Sequence, residues 1–93
     1  MDKLINILKN ILQENNYIKI NEMIKEFQNF VWLNDDFNDN DIYADVFINL
    51  AYDLDYYESN SEFRKESSSY YGNERLRKEI VEALKKIEIL KVK

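Results

Sequence analysis

A 93-residue chain with a single glycine, Gly72, and no proline has few means of turning sharply. Tight hairpins draw on glycine, proline and asparagine for backbone angles that other residues resist. The chain is therefore expected to be all-α, a compact four-helix bundle whose helices are joined by two long polar loops. Its length makes one domain, residues 1–93. Such a domain buries on the order of 65% of its unfolded surface and leaves little room for a deep cleft.

Apolar spacing places the helices. From Asp2 to about Glu14, Leu4, Ile5, Leu8, Ile11 and Leu12 recur at helical intervals, with Asp2 at the helix start and Asn15-Asn16 as a stop. Tyr17-Ile18-Lys19-Ile20 alternates and reads as a short extended connector. Asn21 then reads as the N-cap of a second helix over roughly 22–33, with Met23, Ile24, Phe27, Phe30 and Val31 on one face. Trp32 falls nearly opposite that face, packed on a neighbouring loop or left as an exposed anchor.

A third helix is expected over about 41–57. At about 100° per residue, Tyr43, Val46, Phe47, Leu50, Leu54 and Tyr57 form its core face. The segment 58–73 reads as an ordered loop pinned by Phe63, Tyr70 and Tyr71. Gly72 permits a turn there, and Asn73 suits the N-cap of a last helix over about 74–90. That helix buries Leu76, Ile80, Ala83, Leu84, Ile87 and Leu90. Its outer face alternates lysine and arginine with glutamate, as a salt-bridged solvated face does.

Charge divides the chain sharply. Residues 26–63 hold ten acids and no base, while the rest holds eight acids and all 13 bases. A surface of that sign disfavours nucleic-acid phosphate and favours a basic partner. The outer side of the third helix carries Asp41, Asp45, Asp55, Asn49, Ile48, Tyr52 and Tyr56. It lacks the lysines that usually pair with acids at i,i+4, and it mixes aspartate with aromatics. Aromatic residues are enriched at interface cores. Asp41, Asp45, Tyr52, Asp55 and Tyr56, with Asp35, Asp36, Asp39, Glu58 and Glu62 beside them, are the candidate partner-binding residues. The bland alternative is that the tyrosines pack on the next loop and the acids merely solubilise.

Chemistry finds little support. With no histidine and no cysteine, the usual general base and thiol nucleophile are missing. Asp53 and Asp55, two apart on a helix, point in different directions. Asp36, Asn38 and Asn40 mimic the first positions of a calcium loop. Position 6 would then be Asp41 instead of glycine, and position 12 Phe47 instead of glutamate. No catalytic residue, metal ligand or cofactor is expected. The N-terminal MDKLINILKNILQ is apolar only in stripes, and no apolar run approaches the ~20 residues of a membrane span. A cytoplasmic protein without membrane or nucleic-acid contacts is the expectation.

Leu50 to Ile87 resembles the C-terminal half of small bacterial immunity proteins. These are the colicin-D-type self-protective immunity family and the immunity proteins of contact-dependent growth inhibition. The matching residues are Leu50, Asp53, Tyr57, Glu62, Arg64, Tyr71, Gly72, Glu74 and Leu76, and Glu26 to Phe37 fits the family's second helix. The resemblance is one of residue types in order, without an invariant motif. It implies a compact helical bundle and a cognate nuclease toxin domain as partner, blocked at its active-site region by acidic side chains, as a monomer in a 1:1 complex. Other classes stay open: an acidic inhibitor or antitoxin of another basic protein, a DNA mimic, or a self-associating helical domain. The lysines and arginines of the last helix argue against mimicry of DNA.

Overall fold

The computed structural model describes residues 2–33, 42–58, 60–65 and 70–91. Five α-helices are present among them: α1 (Asp2–Gln13), α2 (Tyr17–Trp32), α3 (Ile42–Asp53), α4 (Ser61–Arg64) and α5 (Asn73–Lys91). A 3-10 turn, Leu54–Tyr56, extends α3. The four long helices form an all-α bundle: α1 packs on α2 and α5, and α3 packs on α2 and α5. No strand occurs among the described residues; one isolated parallel bridge joins Tyr57 to Tyr71.

α1 buries Leu4, Ile5, Leu8 and Ile11 as its periodicity predicts; Ile7, at the edge of that stripe, is buried too, and Leu12 is only partly buried. It ends in a tight turn, Glu14 N–H to Ile11 O at 3.2 Å. The Glu14 carboxylate then accepts from the backbone N–H groups of Asn15 and Asn16. Asn16 caps the next helix, its Oδ1 accepting from Ile18 N–H at 2.9 Å and Lys19 N–H at 3.3 Å. This corrects the expected boundary. Tyr17–Ile20 is the first turn of α2 instead of an extended connector, and Asn21 lies inside the helix. The reason is Ile20: it is buried, and with Ile24, Phe27 and Val31 it continues one apolar stripe. Tyr17 and Ile18 are exposed, so nothing in the first turn required an extended strand.

The core is one contiguous cluster centred on Phe27 of α2 and Phe47 of α3, whose rings meet edge to face at 6.2 Å. Leu50, Ala51 and Leu54 continue the buried side of α3, and Leu76, Ile80, Ala83 and Ile87 meet it from α5. Tyr43 and Val46, expected on the core face, are half-buried at its margin. Burial of each large apolar side chain contributes about 1.5–3 kcal/mol. α3 is shorter than expected. Its last residue is Asp53, and the chain tightens into the 3-10 turn before reaching Tyr57 in extended backbone.

The segment between α3 and α5 is ordered where described, as its length suggested. Asn60 starts the one-turn α4, its Oδ1 accepting from Glu62 N–H at 2.9 Å. Tyr71 is buried and anchors the segment, whereas Tyr70 lies at the surface. The expectation for Phe63 concerns a side chain outside the described set. Asn73 is the first helical residue of α5, and its Oδ1 accepts from the Tyr57 hydroxyl at 2.6 Å.

Candidate partner-binding face

Two rungs join the exposed edges of α2 and α3. In the first, Gln28 of α2 is buried and its amide Nε2 donates to Ala51 O at 2.9 Å and Asp55 Oδ1 at 2.6 Å. An amide NH2 carries two hydrogens, and both are used. In the second, Trp32, one helical turn further along α2, packs on Tyr52 with ring centroids 5.7 Å apart and planes tilted by 45°. Trp32 is therefore partnered by an aromatic of α3. The pair stays open to solvent, with Trp32 44% and Tyr52 60% exposed; Tyr56, in the 3-10 turn, is 46% exposed.

Of the predicted residues, Tyr52, Asp55 and Tyr56 are brought together at the end of α3 and its 3-10 extension, and all three are exposed. Asp45 lies two turns earlier, about 10 Å along the helix. It too is exposed, and with Asn49 it borders a shallow groove closed by Glu79, Glu82 and Lys86 of α5. Glu58 and Glu62 are engaged locally. The Glu58 carboxylate accepts from Asn60 N–H, and Glu62 pairs with Lys65 at 3.5 Å across exposed surface. Asp35, Asp36, Asp39 and Asp41 lie outside the described residues, as does the loop tested for calcium.

Behind the face, a knot of polar and aromatic groups ties α3 to α5. The Tyr71 hydroxyl donates toward Asp53 Oδ2 at 2.9 Å and Asp53 O at 3.0 Å. Backbone bonds from Tyr71 N–H to Tyr56 O and from Glu58 N–H to Tyr71 O make the parallel bridge. Arg64 Nη1 donates to Glu58 O at 2.6 Å, and the guanidinium lies against Gly72. Arg75 lies over the Tyr71 ring at 5.0 Å. Burial, and then the hydrogen bond and charge of Asp53, hold the Tyr71 hydroxyl protonated far above the ordinary phenol range. Burial also raises Tyr57, opposed by the Arg64 charge and reinforced by Glu58.

Three of these features escaped the sequence reading. Gln28 was visible as a polar residue inside the stripe Ile24, Phe27, Val31, which signals a buried group with a specific partner. The Trp32–Tyr52 contact and the Tyr57–Tyr71 bridge join residues far apart in the chain and have no local signal.

Among the described residues, no three acids converge in a way that would hold a metal ion, and no buried side-chain polar atom lacks a hydrogen-bond partner. No helix among them is long and apolar enough to cross a membrane. No protein-family model matches the chain, and comparison with curated proteins and with solved structures gives no match.

Proposed function

We propose that the chain is an immunity protein that binds a cognate bacterial nuclease toxin, covering its basic substrate site as a monomer in a 1:1 complex in the cytoplasm. The observation that carries this reading is the exposed Trp32–Tyr52 pair beside Asp55 and Tyr56, the last three on α3 and its 3-10 extension, which hold no basic residue. Large aromatics at a solvated face supply the buried anchors of protein interfaces, each worth up to a few kcal/mol. A nuclease needs a basic groove for phosphate, and an acidic face of matched shape docks there and speeds encounter electrostatically. Asp45 and Asp55 supply charge near the anchors. Asp35, Asp36, Asp39 and Asp41 add to that charge in sequence, whereas Glu58 and Glu62 are peripheral.

The test is rescue. Cells producing a nuclease toxin domain encoded beside this chain are co-supplied with the wild-type chain or with Asp45→Lys/Asp55→Lys, the helical content being checked by circular dichroism. Wild-type rescue that the folded double variant loses supports the reading. Equal rescue by both overturns the assignment of the face. Rescue by neither, with dimerisation at micromolar concentration, favours a self-associating domain.

A further inference from the structure

We propose that Trp32, Tyr52 and Asp55 together form a receptor for one arginine side chain of a protein partner, an inference that rests on reading this face as the site for a basic protein. Asp55 is an unusual carboxylate. It is exposed, yet Gln28 holds one of its oxygens at 2.6 Å from beneath, with the other Gln28 hydrogen tied to Ala51 O. A surface aspartate normally samples several rotamers, whereas this one is oriented before any partner arrives. Pre-orientation removes an ordering cost from binding. Among the described residues no cation pairs with it; the ion pairs there involve Glu62, Glu79 and Glu88.

The aromatic pair lies one rung away. Trp32 is four residues after Gln28 on α2, and Tyr52 is three residues before Asp55 on the facing edge. One helical turn, about 5.4 Å, separates the rungs. That span matches a guanidinium laid flat on an aromatic face with its edge turned to a carboxylate. Arginine is planar, weakly hydrated and carries a fork of N–H donors that suits a carboxylate. Lysine offers a compact, strongly hydrated charge that cannot stack and fork together. An apolar anchor would use the rings and leave the fixed Asp55 carboxylate desolvated and unpaired.

Trp32 is the single tryptophan of the chain, so its emission reports on the site directly. The probe is an acetylated, amidated tri-arginine peptide at low salt, with tri-lysine and tri-citrulline peptides of the same length for comparison. Expected is a saturable change in Trp32 emission, with affinity falling from arginine to lysine to citrulline. Asp55→Asn and Tyr52→Leu should each weaken the arginine peptide about tenfold. Glu22→Gln, which removes the same charge elsewhere on α2, should leave it unchanged. Citrulline binding as well as arginine, an unchanged affinity in folded Asp55→Asn, or no saturable response at millimolar peptide would overturn the receptor. The titration needs no toxin. Arginine binding with failed rescue removes the nuclease reading alone; rescue that is indifferent to Asp55→Asn and Tyr52→Leu removes the receptor alone.

Discussion

Tyr71→Phe isolates one hydroxyl. The ring stays, so its contact with Tyr57, with centroids 6.4 Å apart, and its place under Arg75 are retained. What goes is the donor to Asp53 Oδ2 and Asp53 O. A hydrogen bond to a charged acceptor contributes about 1.5–3 kcal/mol, and Asp53 is half-buried, so its carboxylate regains some water in the variant. The expected loss is about 1–2 kcal/mol, or a Tm lower by roughly 5–15 °C for a domain of this size. Urea unfolding at neutral pH, followed by circular dichroism, should show a lower midpoint at unchanged slope. The pH dependence adds a second reading. The hydroxyl pKa is raised in the folded protein, chiefly by burial and then by Asp53, above its ordinary value of 10.0. Its contribution is therefore complete below pH ~10 and is lost as pH rises beyond it, because the unfolded chain ionises first. The wild type should lose about 1.4 kcal/mol per pH unit there through this group, and Tyr71→Phe should not. The gap between them narrows and then closes in alkali. A variant as stable as wild type at neutral pH, or a gap that stays constant into alkali, would refute the role given to the Tyr71–Asp53 bond. Adding Asp53→Asn completes a cycle, and a coupling near zero would refute it equally.

Gly72→Ala should cost about 1 kcal/mol, because a Cβ there would lie 2.9 Å from Arg64 Nη1 and displace the bond to Glu58 O. In an Arg64→Ala background the same substitution should be nearly neutral, which thermal melts of the four proteins would show. Asn16→Ala should destabilise by about 1 kcal/mol through loss of the α2 cap and should increase amide exchange at Ile18 and Lys19. Gln28→Leu preserves volume but removes both bonds across α2 and α3; about 1–2 kcal/mol in urea unfolding is expected.

Sequence periodicity carried the fold where a stripe was long. Most of the buried faces of α1 and α5 follow from spacing that only helices satisfy, although Leu84 and Leu90 are half-buried at the margin; that Phe27 meets Phe47 depends on how α2 crosses α3. It failed at the start of α2 for a local reason. Tyr17-Ile18-Lys19-Ile20 alternates over only four residues, and Asn16 and Asn21 are equally good caps by residue type. Only the burial of Ile20 with Ile24 decides between them. The exposed tyrosines of the candidate face were legible because acids and aromatics shared a helix side without bases. Their pairing was not, since the approach of Trp32 to Tyr52 depends on how α2 crosses α3. Nor was the orientation of Asp55, which is set by a glutamine 27 residues away.

The residues that carry the resemblance to immunity proteins serve mainly to hold the chain together. Leu50 and Leu76 are core. Asp53 receives the Tyr71 hydroxyl, Tyr57 and Tyr71 form the bridge, and Arg64 reaches Glu58 O while lying against Gly72. Each is bound to another part of the same knot, between the end of α3 and the start of α5. A pattern made of such residues constrains the joint between two helices, and any chain with that joint would satisfy it whatever its partner. On the proposed reading, recognition falls to side chains that are not part of that pattern, such as Asp45, Tyr52, Asp55 and Tyr56. The knot and the face meet at only one place. Asp53 lies between Tyr52 and Asp55 in sequence, so the Tyr71–Asp53 bond fixes the stretch of backbone from which the face projects. Loss of that bond should therefore weaken partner binding as well as stability, although Tyr71 itself is buried and offers a partner no contact surface.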